Sequence, residues 1–135
     1  MKHLNQFITE YIVNKKLDKP IDSEDHYEYF PKTKNELIEN IKELFDNKIY
    51  DFNCIDTSEI TDMSGLFYKD IFSTIAFNVS NWNVSKIENM SGMFFYCTKF
   101  KGIGLEKWNV KRVKDMSYMF DECTSIKKLP TWYKK

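Results

Sequence analysis

One five-residue pattern occurs three times in this chain of 135 residues. Met-Ser-Gly-Leu-Phe at residues 63–67 returns as Met-Ser-Gly-Met-Phe at 90–94 and as Met-Ser-Tyr-Met-Phe at 116–120. The offsets are 27 residues (63 to 90) and 26 residues (90 to 116). A period of this length is typical of repeat proteins, whose units bury their apolar faces against their neighbours. The repeat constrains the fold and argues against an enzyme, but it does not name a ligand.

The register extends beyond the five-residue pattern, from about residue 50 to residue 135. Apolar residues that alternate with polar or small neighbours precede each copy, which predicts a short strand with one buried face. The residues that begin the four units are Phe52, Val79, Leu105 and Leu129. The segment from each Met towards Cys97 or Cys123 has helical spacing and predicts a short helical turn. Its expected N-cap residues are Asp62, Asn89 and Asp115.

Two amphipathic helices are predicted before the repeats, over residues 3–17 and 34–47. Thr33 and Glu36 have the spacing of a capping box at the start of the second helix. We expect both helices to cover the open end of the repeats. The predicted organisation is an N-terminal helical cap with an acidic, aromatic linker at 1–48 and repeats at 49–135, together forming one compact unit.

Residues 81–98, which read Asn-Trp-Asn-Val-Ser-Lys-Ile-Glu-Asn-Met-Ser-Gly-Met-Phe-Phe-Tyr-Cys-Thr, resemble the repeat of the BspA-like leucine-rich-repeat family. That family is also described as the DUF285 or mycoplasma-type lipoprotein repeat, and the resemblance covers residues 50–135. It implies an α/β repeat fold, a leucine-rich-repeat solenoid of about three turns plus a closing half-turn. It also implies adhesion or protein binding, and it brings no catalytic residues.

Composition restricts the setting and the partners. The formal net charge is zero, so no global field draws the chain to nucleic acid or to an anionic membrane. The start of the chain lacks a secretory signal, a lipid-anchoring Cys and a transmembrane run, and we expect a cytoplasmic protein. The three cysteines fit that compartment as buried packing residues.

The leading hypothesis is a non-enzymatic intracellular protein-binding module, monomeric or weakly homo-oligomeric, without cofactor or metal. Its expected partner-binding residues are the outward positions of the predicted strands and two tyrosines of the acidic, aromatic linker at 18–31. These residues are Asp51, Asn53, Asn78, Ser80, Gly104, Glu106, Lys128, Tyr27 and Tyr29. Because the family occurs in phages and mobile elements, a narrower hypothesis is that the chain acts on a host defence protein.

Two other functions stay open at this point. Basic residues interleaved with Trp108 suit phosphate contacts and base stacking in nucleic-acid binding. The basic residues are Lys107, Lys111, Arg112 and Lys114. However, Trp108 shares the register of Trp82, which predicts a buried side chain. The last alternative is a surface adhesin-like repeat protein, as the family resemblance implies.

Overall fold

A computed structural model describes residues 27–134 of the chain. The predicted helix over 3–17 and residues 18–26 of the linker lie outside the described residues. The described part contains one α-helix, α1 (Lys34–Asp46), and two 3-10 helices, Asp70–Ser73 and Leu105–Lys107.

Helix α1 confirms the second predicted helix and its N-cap. The Thr33 side chain accepts a hydrogen bond from the Glu36 backbone N–H at 3.1 Å. The Glu36 carboxylate in turn accepts from the Lys32 backbone N–H, also at 3.1 Å, one residue earlier than a capping box requires. The apolar face is buried through Leu37, Ile41 and Leu44.

The predicted α/β leucine-rich-repeat solenoid with a two-helix cap is wrong. Residues 27–134 contain a single α-helix and no strand longer than an isolated bridge. The four parallel bridges join Tyr29 to Ile55, Asp51 to Asn78, Asp62 to Asn89, and Asn89 to Asp115. Where the third strand was predicted, Leu105–Lys107 forms a 3-10 helix after a left-handed Gly104 with φ 81°.

The predicted helical turns fail for an identifiable reason. The residue two positions after each repeat Met has a left-handed backbone: Gly65 with φ 59°, Gly92 with φ 60° and Tyr118 with φ 58°. A right-handed helix cannot continue through such a residue. Each Met-to-Phe segment is therefore a chain of turns.

The short polar side chains before each Met close turns instead of capping helices. Each side-chain Oδ1 accepts from the backbone N–H two residues later, which is the geometry of an Asx turn. The bonds run from Ser64 to Asp62 at 2.8 Å, from Ser91 to Asn89 at 2.9 Å and from Ser117 to Asp115 at 2.9 Å.

Successive repeats pair through their backbones at alternate residues. In each pair the N–H of the earlier repeat donates to a carbonyl of the later one. Repeat 1 (residues 63–67) pairs with repeat 2 (residues 90–94) through Met63 to Asn89, Gly65 to Ser91 and Phe67 to Met93, at 2.8–2.9 Å. Repeat 2 pairs with repeat 3 (residues 116–120) through Met90 to Asp115, Gly92 to Ser117, Phe94 to Met119 and Tyr96 to Asp121, at 2.8–3.0 Å.

The core lies inside these paired repeats and is rich in aromatic rings. Phe94 stacks between Phe67 and Phe120, with ring centroids 5.6 Å apart on each side. Trp82 and Trp108 are both buried, as predicted, and the Trp82 Nε1–H donates to the Phe52 carbonyl at 2.8 Å.

Candidate partner-binding surface

Four aromatic side chains, which lie in repeat 3 or directly after repeats 1 and 2, meet on the surface. This exposed aromatic cluster consists of Tyr68, Phe95, Tyr96 and Tyr118. Tyr68, Tyr96 and Tyr118 are 53%, 47% and 67% exposed, and Phe95 is half-buried among them. Phe95 contacts each of the three tyrosine rings, at centroid distances of 4.8, 4.5 and 6.3 Å. The Tyr68 and Tyr96 rings also stack on each other at 6.1 Å.

The backbone presents two of these rings at an energetic cost. Tyr96 has φ 63° and Tyr118 has φ 58°, the left-handed region where a side chain costs about 1 kcal/mol or more. Tyr118 occupies the repeat position that glycine holds at 65 and 92. The third repeat thus places a large exposed ring where its neighbours have no side chain.

A shallow groove adjoins the cluster. It has a volume of about 430 Å³ and is lined by Tyr68, Lys69, Asp70, Ser73, Tyr96 and Thr98. Its Thr98 hydroxyl donates to the Ser73 carbonyl at 2.9 Å. Two of its six lining residues are aromatic and four are polar or charged.

The predicted partner-binding residues of the first two units take part in turns and in contacts between units. The Asp51 carboxylate accepts from the Asn53 backbone N–H at 3.0 Å, and the Asn78 side chain accepts from the Ser80 N–H at 2.9 Å. The Asn53 side chain accepts from the Asn81 backbone N–H at 2.8 Å. These bonds give the side chains a structural role, and their contact with a partner stays a prediction.

The other predicted partner residues are scattered. The Glu106 carboxylate accepts from the Thr131 hydroxyl at 2.6 Å and from its backbone N–H, and these bonds lower the pKa of Glu106.

Gly104 approaches Ser80 closely, and Lys128 is exposed. Tyr29 is buried, which raises the pKa of its phenol, whereas the half-buried Tyr27 packs edge-on against Phe30 at 6.4 Å.

The four predicted nucleic-acid residues lie at exposed positions, and nucleic-acid binding through them stays a prediction. Trp108 is only 5% exposed, so its ring is not available to stack on a base. Lys107 donates to the Asn81 side chain at 2.8 Å, and Lys114 pairs with Glu88 at 3.1 Å. Lys111 and Arg112 remain as exposed cations.

The three thiols are buried, and none forms a disulfide. The Cys97 thiol donates to the Phe67 carbonyl at 3.3 Å, and the Cys123 thiol donates to the Phe94 carbonyl at 2.9 Å. Burial raises the pKa of Cys54 to about 12 and that of Cys123 to about 11. Residues 27–134 contain no group of three His, Cys, Asp or Glu side chains that could hold a metal ion.

Residues 32–134 match the family described as "Mycoplasma protein of unknown function, DUF285". The chain belongs to the DUF285 family. This confirms the resemblance found in the repeats, and the matched region also includes helix α1. No curated protein and no solved structure matches the chain. In the part of this DUF285 protein that the structure describes, no helix is both long and apolar enough to cross a bilayer.

Sequence reasoning missed the exposed aromatic cluster. Repeat register predicts the burial of Trp108, which is buried, but it does not predict which aromatic side chains meet on the surface. Tyr118 carries the signal that could have found the cluster, because a large ring stands at a position held by glycine in the other two copies.

Proposed function

We propose that this DUF285 protein is a non-enzymatic protein-binding module whose partner contacts the exposed aromatic cluster. The observation that supports the proposal is the contact of Tyr68, Phe95, Tyr96 and Tyr118 with one another on the surface. Tyrosines bring large contact area with few rotatable bonds and a polar hydroxyl, and they are enriched at binding hot spots.

The backbone beneath two rings of the cluster is left-handed. Left-handed non-glycine residues persist where the surrounding structure holds them, and they concentrate at binding and switch sites. Tyr96 and Tyr118 both have this conformation and both remain about half or more exposed. Glu122, with φ 63°, has the same conformation outside the cluster, so the left-handed backbone belongs to the turns of the repeats and here determines how two aromatic rings are presented.

The proposal includes a cytoplasmic location. Three buried thiols without a disulfide suit a reducing compartment. We also retain, as a narrower proposal, that the chain comes from a phage or mobile element and engages a host defence protein. That version rests on the family resemblance, and a housekeeping operon around the coding sequence would argue against it.

A photo-crosslinking experiment tests the surface. A photoreactive phenylalanine at position 96 captures the partner in cells, and affinity for the recovered partner is then measured by calorimetry. Tyr68→Ala and Tyr96→Ala are expected to weaken binding by about tenfold or more, as truncated hot-spot residues do.

Two matched variants decide between surfaces. Ile103→Ala removes a side chain that is 70% exposed but lies outside the cluster, and it is expected to leave affinity unchanged. Lys128→Glu tests the surface predicted from the sequence. A large loss with Lys128→Glu and none with the tyrosine variants would contradict the proposal.

A further inference from the structure

The forward edge of repeat 3 carries a row of backbone N–H groups that have no backbone acceptor among residues 27–134. The N–H groups of Met63, Gly65 and Phe67 donate to repeat 2, and those of Met90, Gly92, Phe94 and Tyr96 donate to repeat 3. The corresponding groups of repeat 3 donate to no backbone carbonyl of residues 27–134. These edge donors are the N–H groups of Met116, Tyr118, Phe120 and Glu122.

Exposure changes at the same edge. In repeat 2, Asn89 and Ser91 are half-buried and Met90 is fully buried. The equivalent residues of repeat 3 are all more accessible: Asp115 and Ser117 are exposed and Met116 is half-buried. Within the described part of the chain, no further repeat covers this edge as repeats 2 and 3 cover the repeats before them.

Residues 131–133, the closing segment, lie beside this edge but form no backbone hydrogen bond with it. The Trp132 Nε1–H donates to the Leu105 carbonyl at 2.8 Å, and Thr131 bonds Glu106. Tyr133 packs edge-on against the Phe120 ring at 4.9 Å. The segment therefore covers the apolar side of repeat 3, and its backbone supplies no acceptor to the edge donors.

A second copy of the chain is a poor match for the edge. Two donor rows cannot pair with each other, so a copy would have to offer the equivalent carbonyls of repeat 1, those of Asp62, Ser64 and Leu66. Helix α1 begins beside that row, where the Lys34 amine donates to the Ser64 hydroxyl at 3.0 Å and lies 3.9 Å from the Asp62 carboxylate. Residues 62 and 64 are already half-buried there.

We propose that the forward edge of repeat 3 binds an extended segment of a partner polypeptide, which supplies backbone carbonyls at alternate residues. The edge continues the pairing that joins repeat 1 to repeat 2 and repeat 2 to repeat 3. Main-chain bonds give such a site its affinity, as in peptides that add to a sheet edge. Such a site recognises an extended backbone in the partner. The exposed aromatic cluster, in contrast, would contact a partner through side chains.

The probe is a synthetic peptide that copies residues 113–122, the segment that fills the equivalent edge of repeat 2. It is titrated into the ¹⁵N-labelled full chain, and amide shifts are followed by NMR. Saturable downfield shifts are expected at residues 116, 118, 120 and 122, with a Kd below about 1 mM. Amides 90, 92, 94 and 96 are already bonded and serve as internal references. The same peptide built from D-amino acids is the matched control.

Three outcomes would overturn the proposal: no shift at about 1 mM peptide, shifts confined to residues 68 and 96, or edge shifts that depend on protein concentration without peptide. The last would assign the edge to a second copy. Tyr118→Gly separates this site from the aromatic cluster, because glycine keeps the N–H and removes the ring. Peptide binding at the edge is expected to persist in that variant.

Discussion

Gly92 and Gly104 both have a left-handed backbone, but they tolerate a side chain very differently. At Gly92 an added Cβ would lie 4.0 Å from the nearest side-chain atom, so Gly92→Ala costs only conformational energy, about 1 kcal/mol. At Gly104 the added Cβ would meet the Ser80 Cβ at 2.5 Å. Because that atom is fixed to the backbone, Gly104→Ala is expected to cost about 2–4 kcal/mol.

Urea unfolding followed by circular dichroism measures both losses. Gly92→Ala is the matched control, since it introduces the same atom at a similar φ without the clash. Equal losses for the two variants would mean that the close approach between Gly104 and Ser80 does not exist in solution.

At Tyr118 the opposite substitution, from a large side chain to glycine, can be made. Tyr118→Gly is expected to raise the free energy of unfolding by up to about 1 kcal/mol, because glycine removes the left-handed strain. The ring is 67% exposed, so little packing is lost. The same variant is expected to weaken partner binding at the exposed aromatic cluster. Ile103→Ala, an exposed site without positive φ, should show no gain in stability. A destabilised Tyr118→Gly protein would contradict this account.

At the scale of elements, the Thr33 side chain caps the N-terminus of α1. Thr33 accepts from the Glu36 N–H at 3.1 Å, and the last turn contains no basic residue. Thr33→Ala is therefore expected to lower the free energy of unfolding by about 1 kcal/mol, the usual worth of an N-cap. The control is Thr61→Ala at an exposed site. Chemical denaturation of both variants checks the prediction, which fails if they unfold at the same urea concentration.

The same element shows why part of the fold was predictable. The signals of α1 are local: a cap at Thr33, helical spacing of Leu37, Ile41 and Leu44, and no glycine or proline inside it. The Met-to-Phe segments share that helical spacing, yet their third residue is left-handed. Gly65 and Gly92 permit this conformation without requiring it, and a tyrosine at 118 does not by itself predict it. The helical spacing of the apolar residues therefore predicted a helix, which the left-handed residue interrupts.

At the scale of the whole molecule, the surface was harder to predict than the core. Burial follows repeat register, which is why the buried positions of Trp82, Trp108, Cys97 and Cys123 could be predicted. The exposed aromatic cluster depends on residues that meet across repeats, such as Tyr68 and Phe95, and on turns that direct them outward. Neither property can be read from spacing alone.

The buried thiols are expected to make the stability of the whole molecule depend on pH above 9. Burial raises the pKa of Cys54 to about 12 and of Cys123 to about 11, from an ordinary value near 9. Burial also raises the pKa of Cys97. Between pH 9 and 11 the unfolded chain therefore releases thiol protons that the folded protein retains. The free energy of unfolding must fall as pH rises through this range, by up to about 1.4 kcal/mol per unit for each thiol.

Denaturant unfolding at pH 7 to 11 under reducing conditions measures this dependence, and Cys123→Ala removes one of the three thiols. The variant is expected to be less stable than the parent at pH 7, because it leaves a cavity and lacks the bond to the Phe94 carbonyl. Its loss of stability above pH 9 should nevertheless be shallower, by up to about 1.4 kcal/mol per unit. Parallel curves for the two proteins would show that the Cys123 thiol titrates equally in the folded and unfolded states, and that burial does not protect it.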